Sequence, residues 1–189
     1  MERTLLMVPG PVELTPEVLA AQARPALSHT GPEFREIAGK TLGHVRTLFD
    51  APGSQPVIVA GSGTLGMEIA LANLLEPGER VLILETGVFA RRFTEIAQRL
   101  GADVRIERAP VGQAISPDVV RSALAQFRPK VMTITHVDTS TGVRVDVPVL
   151  AALAREHEAL VVVDGVCAIG GEEYHGDAWG IDIGFTASQ

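Results

Sequence analysis

From Gln55 onward, short apolar runs alternate with longer segments of helical period, and that alternation leaves few folds open to the chain. Strand-forming runs occupy residues 56–60, 80–84, 103–107, 131–136, 160–164 and 181–186. Strands separated by helices need crossover connections, so the pattern predicts an α/β fold: a mainly parallel sheet with helices on both faces. Helix starts are marked at Thr15-Pro16, Thr30 to Pro32 and Ser116-Pro117, where a capping side chain or glycine stands close before a first-turn proline. Between residues 32 and 50, Phe34, Ile37, Ala38, Val45, Leu48 and Phe49 recur at helical spacing, which predicts an amphipathic helix packed on a neighbour.

Composition bounds the partners. The 189 residues are 46% hydrophobic and 21% charged, enough apolar material for one sizeable core. A net charge of -7 without any Lys/Arg run argues against nucleic acid or an anionic membrane surface and for a small molecule. No apolar run is long enough to span a bilayer or to form a leader at the start, so the expected location is cytoplasmic. The single Cys167 excludes an intrachain disulfide framework and is expected to be a small buried hydrophobe.

Four polar clusters fall at predicted strand ends. Gly61-Ser62-Gly63-Thr64-Leu65-Gly66 joins a strand to a helix, where free N–H groups and glycines cradle phosphate. Its Gly61-x-Gly63-x-x-Gly66 spacing also fits a dinucleotide fingerprint, with Glu85 placed to bind a ribose, so an NAD-dependent dehydrogenase is an alternative. Phe89, after the next strand, can stack on a planar ring or serve as a core anchor. His136-Val137-Asp138-Thr139-Ser140-Thr141-Gly142 is either a ligand-facing cluster or a capped turn. Asp164 follows Val161-Val162-Val163, and a carboxylate so placed is costly unless something cationic or hydrogen-bonding meets it.

In order and spacing, Gly61-Ser62-Gly63-Thr64, Gly87-Val88-Phe89, His136 to Gly142, Val163-Asp164-Gly165-Val166 and Thr186-Ala187-Ser188-Gln189 resemble the class V pyridoxal-phosphate aminotransferases, in particular the serine–pyruvate and alanine–glyoxylate type. Pro9-Gly10-Pro11 and Ser28 through Phe34 resemble that family's entrance segment. The resemblance implies a fold-type I large domain, with residues 1–30 as entrance segment and 31–189 as the N-terminal part of the cofactor domain. The C-terminal small domain is absent from these residues. It implies pyridoxal 5'-phosphate as cofactor, an amino acid and a keto acid as substrates, and a homodimer.

Carried over by residue, the resemblance places Gly61, Ser62, Gly63 and Thr64 at the cofactor phosphate, with Gln189 assisting. Phe89 takes the ring-stacking position, Thr139 the ring substituents, Asp164 the pyridine nitrogen and Val166 the opposite ring face, while Gly10 lines the substrate side. The Schiff-base lysine is expected directly after Gln189, since Lys40 and Lys130 are both poorly placed to replace it. The activity implied for the intact protein is transamination of a small amino acid. The 189 residues alone are alternatively an inactive cofactor-domain fragment.

Overall fold

The computed structural model describes residues 5–188. Helices α1 (Pro16–Gln22) and α2 (Pro32–Leu48) precede α3 (Gly63–Leu74), β1 (Arg80–Glu85), α4 (Val88–Arg99), β2 (Asp103–Arg108), α5 (Pro117–Phe127) and β3 (Val131–Thr135). A small antiparallel pair, β4 (Val137–Asp138) and β5 (Val143–Arg144), leads into α6 (Val147–Glu156), β6 (Leu160–Asp164), α7 (Gly176–Trp179) and β7 (Ile183–Phe185). Local chemistry sets the helix starts: Thr15, Ser116 and Asp146 each turn a side-chain oxygen back to a first-turn N–H, on Val18, Asp118 and Val149.

Five strands form one parallel sheet in the order β2-β1-β3-β6-β7. The order reverses between β1 and β3, because the first crossover runs outward to β2 and the next returns past β1. Open α/β sheets bind ligands at such a reversal, beyond the carboxyl ends of the strands.

Side chains alternate across each strand, and the apolar ones divide into two cores. Leu82, Met132, Ile134, Val161 and Val163 pack on one face with Val120 and Leu124 of α5 and Leu150 of α6. Val81, Ile83, Val131 and Val162 pack on the other with Met67 and Leu71 of α3 and Phe93 of α4. Burying each such side chain contributes roughly 1.5–3 kcal/mol, so the central strands, apolar on both faces, anchor the fold. The same alternation sets Asp164 on the α3/α4 face, in series with Leu160 and Val162.

Three expectations are corrected. Residues 56–60 join no strand, and Val57, Ile58 and Val59 stand 74%, 59% and 51% exposed, because among the described residues β7 is the last strand on that side and none pairs with them. Helix α2 forms as expected but buries no residue, leaving the apolar Phe34 and Ile37 on an open face. Cys167 is exposed, since the turn after β6 directs its neighbour Ala168 inward instead.

Candidate cofactor site

The phosphate-type turn lies at the start of α3. Ser62 caps that helix, its Oγ accepting the Leu65 N–H at 3.4 Å. The amides of Gly63 and Thr64 are the first two of the helix and have no intrahelical carbonyl to meet. Together with the positive end of the helix dipole they favour an anion. A Cβ on Gly63 would come within 2.8 Å of Val166 Cγ2, so glycine is what lets this turn lie against the loop after β6.

Asp164 closes β6 on the same face, 4% exposed, with its Oδ1 accepting the Val166 N–H at 3.0 Å. Burial pushes its carboxyl pKa up to about 6; the Val166 N–H pulls the other way, the charge of Asp138 adds to the rise, and Arg92 opposes it. Among the described residues no salt bridge reaches this carboxylate. A buried acid with one hydrogen bond and no cation fits a protonated pyridine nitrogen, which would supply the missing charge.

Phe89 is half-buried on the first turn of α4, with the Arg92 guanidinium over its ring at 4.6 Å from the centroid. Arg92 also donates from Nη1 to Thr64 Oγ1 at 3.0 Å, linking α4 to the phosphate-type turn. Gly87 gives α4 no side-chain cap. The loop after β3 supplies it instead: the fully buried Asp138 accepts the Ala90 N–H at 3.1 Å, and Ser140 Oγ accepts that of Val88 at 2.9 Å. Thr139 lies half-buried beside Asp138.

Ser62, Gly63, Thr64, Val166, Asp164, Phe89 and the Asp138 loop are therefore brought together at the crest of the sheet. Gly61 and Ser62 also border a cavity of about 970 Å³ that reaches Thr186, Ala187 and Ser188. Thr186 Oγ1 donates to Gly165 O at 3.3 Å, drawing the end of the chain towards the site. Gln189 lies outside the described residues. Gly10 lies in the N-terminal segment, and among the described residues no hydrogen bond joins it to the turn.

His136 turns the other way. It is buried against Tyr174 and Trp179, at ring separations of 6.3 and 5.9 Å, in the α5/α6 core. Burial, with help from Arg144 and against Glu172, lowers its pKa, so it is a neutral packing residue. Arg92 is a functional candidate that sequence reasoning did not single out, and Asp138 was read only as one member of the 136–142 cluster. Arg92's spacing of three from Phe89 was a readable signal, since such residues share a helix face.

The dinucleotide reading finds no support. Glu85 is engaged by Arg91 and Arg108 at 3.2 and 3.0 Å, and the run before Gly61 is not a sheet strand.

An open parallel sheet with a helix N-terminus and a buried acid converging at its crest is the arrangement in which domains of the α/β class bind phosphorylated cofactors. A model of the family Aminotransferase class-V matches residues 15–189. Alanine–glyoxylate aminotransferase 1 of Saccharomyces cerevisiae is 38% identical over 97% of this chain and 50% of its own length. The L-aspartate–glyoxylate aminotransferase of Paracoccus denitrificans is 33% identical over 97% of the chain and 48% of its length. The crystal structure of an alanine–glyoxylate aminotransferase from Nostoc sp. superimposes with a TM-score of 0.94 at 36% identity, covering 98% of this chain and 49% of that one. The chain belongs to the class V aminotransferases, whose cofactor is pyridoxal phosphate, and has their fold-type I cofactor domain. It spans about half the length of the curated relatives it matches.

Proposed function

We propose that the full-length protein containing this chain transfers the amino group of a small amino acid such as alanine or serine to glyoxylate or pyruvate. The observation that carries this reading is Asp164, a buried acid on the face where the Ser62–Thr64 turn offers an anion site. The names of the relatives support glyoxylate as the acceptor. Pyridoxal phosphate, when bound, supplies an aldehyde that takes up the amino group and an electron-accepting ring.

The chain's own residues hold and tune that group. The amides of Gly63 and Thr64 and the hydroxyls of Ser62 and Thr64 bind its phosphate, with Gly61 allowing close approach and Gln189 assisting. Phe89 stacks on one ring face, Val166 packs on the other, and Thr139 meets the ring substituents. Asp164 holds a proton on the ring nitrogen, keeping the ring cationic and electron-poor. Gly10 and the entrance segment, residues 1–30, border the substrate. We further infer that the full-length protein is a cytoplasmic homodimer; the exposed apolar residues Phe34 and Ile37 on α2 favour the dimer.

Full-length protein given pyridoxal phosphate, [15N]alanine and glyoxylate is expected to yield [15N]glycine and pyruvate. Absence of nitrogen transfer from alanine, serine and aspartate alike would overturn the reading.

A further inference from the structure

We propose that Arg92 is a positioning residue for the cofactor phosphate, acting through Thr64, which it holds by a hydrogen bond while its guanidinium rests on the Phe89 ring. The proposal rests on the cofactor-binding reading above. Phe89 and Arg92 are three residues apart on α4 and share a face. The guanidinium carbon lies over the ring, 4.6 Å from its centroid, and the fork reaches across to the start of α3, where Nη1 meets Thr64 Oγ1 at 3.0 Å.

A hydroxyl has one hydrogen to give and can also accept. Because Arg92 donates to Thr64 Oγ1, the hydroxyl's own hydrogen is left to donate elsewhere, and the helix start beside it is where an anion binds. Arg92 thus orients a neutral donor and adds a full positive charge behind it. The neighbouring Arg91 is engaged instead with Glu85. Arg92 is half-buried, so its charge is less screened than that of an exposed arginine. Its influence also extends to Asp164, whose carboxyl it holds towards ionisation.

One side chain therefore ties the ring-stacking residue to the phosphate turn. Lysine could supply the charge but not the planar fork that stacks and donates at once.

The test compares pyridoxamine 5'-phosphate with pyridoxamine, neither of which needs a lysine aldehyde linkage, by calorimetric titration of the cofactor-free full-length protein as wild type, R92Q and R92K. R92Q is expected to weaken the phosphorylated ligand roughly tenfold and leave pyridoxamine within about twofold. R92K is expected to recover only part of the loss. In a T64V background, R92Q is expected to have much less effect, because the two act as a unit. Equal losses for both ligands, or none, would overturn the role of Arg92 while leaving cofactor binding standing. Failure of the wild-type full-length protein to bind pyridoxamine 5'-phosphate would overturn the cofactor reading and this proposal with it.

Discussion

The carboxylate of Asp138 accepts the backbone N–H of Ala90 at 3.1 Å, so a residue beyond β3 caps the helix that begins after β1. Asp138 also accepts from the Ser140 N–H and hydroxyl at 3.0 and 2.6 Å, and it is fully buried. The helix that carries Phe89 is thereby pinned across the point where the strand order reverses.

Asp138→Ala is expected to destabilise the chain by about 2 kcal/mol, combining a lost helix cap with stranded donors. Asp138→Asn keeps an acceptor and should cost less. Urea unfolding of the two variants checks this; equal stability of Asp138→Ala and wild type would refute the cap.

A Cβ at Gly87 would collide with the Asp138 carboxyl group. Gly87→Ala should therefore cost about 1–3 kcal/mol, as overpacking does. Combined with Asp138→Ala, the loss should be less than additive, because the part of the clash due to Asp138 is then removed and only that with Ser140 Oγ, 2.5 Å away, remains. Strict additivity in a double-mutant cycle would count against the contact.

Asp164 titrates at about 6 in the cofactor-free chain, against an ordinary 3.8. A raised acid favours the protonated native state, so its contribution is most favourable at low pH and is lost as pH climbs from about 4 to 6. The gap corresponds to about 3 kcal/mol at neutral pH. Asp164→Asn should remove that cost, so its stability advantage over wild type should grow across this window and then level off. The same variant should bind pyridoxamine 5'-phosphate more weakly. Parallel stability curves from pH 4 to 7 would refute the buried-acid assignment.

His175 bridges Asp50 by Nδ1 at 2.6 Å and Glu173 by Nε2 at 2.9 Å. The Asp50 hydrogen bond, then that of Glu173, raises its pKa. A raised histidine stabilises the fold fully below its unfolded pKa and loses that contribution as pH rises through the folded value. Beside it, Asp177 accepts the Gly53 N–H at 2.8 Å and the Ser54 hydroxyl at 2.9 Å. Amide exchange at Gly53, corrected for intrinsic rates, is expected to quicken above the histidine's titration. His175→Gln should flatten that pH dependence; an unchanged profile would reject the clasp.

The strands β1, β3 and β6 were legible because each is an apolar run placed between helical segments, as burial on both faces demands, whereas the edge strand β2 showed itself by Val104 and Ile106 alternating with polar residues. Residues 56–60 have the same composition, yet Val57 to Val59 lie outside the sheet. A strand needs a partner as well as a propensity, and the partner is not written in the run itself. Asp164 could be read from the cost of placing a charge after three valines. Asp138 stood within the polar cluster at 136–142 but gave no local sign that it would cap a helix 48 residues earlier. For Arg92 the face shared with Phe89 could be read from the spacing, but its meeting with Thr64 exists only once α3 and α4 lie side by side.

The reversal of strand order between β1 and β3 has a consequence for descent. The crevice it opens is a product of connectivity, so it persists whatever residues edge it. The two cores that hold the sheet draw on residues inside the strands and on the inner faces of the helices, whereas the site is edged by residues just past the strand ends. Lineages built on this scaffold can therefore diverge in what they act on by exchanging rim residues, without renegotiating how the chain folds.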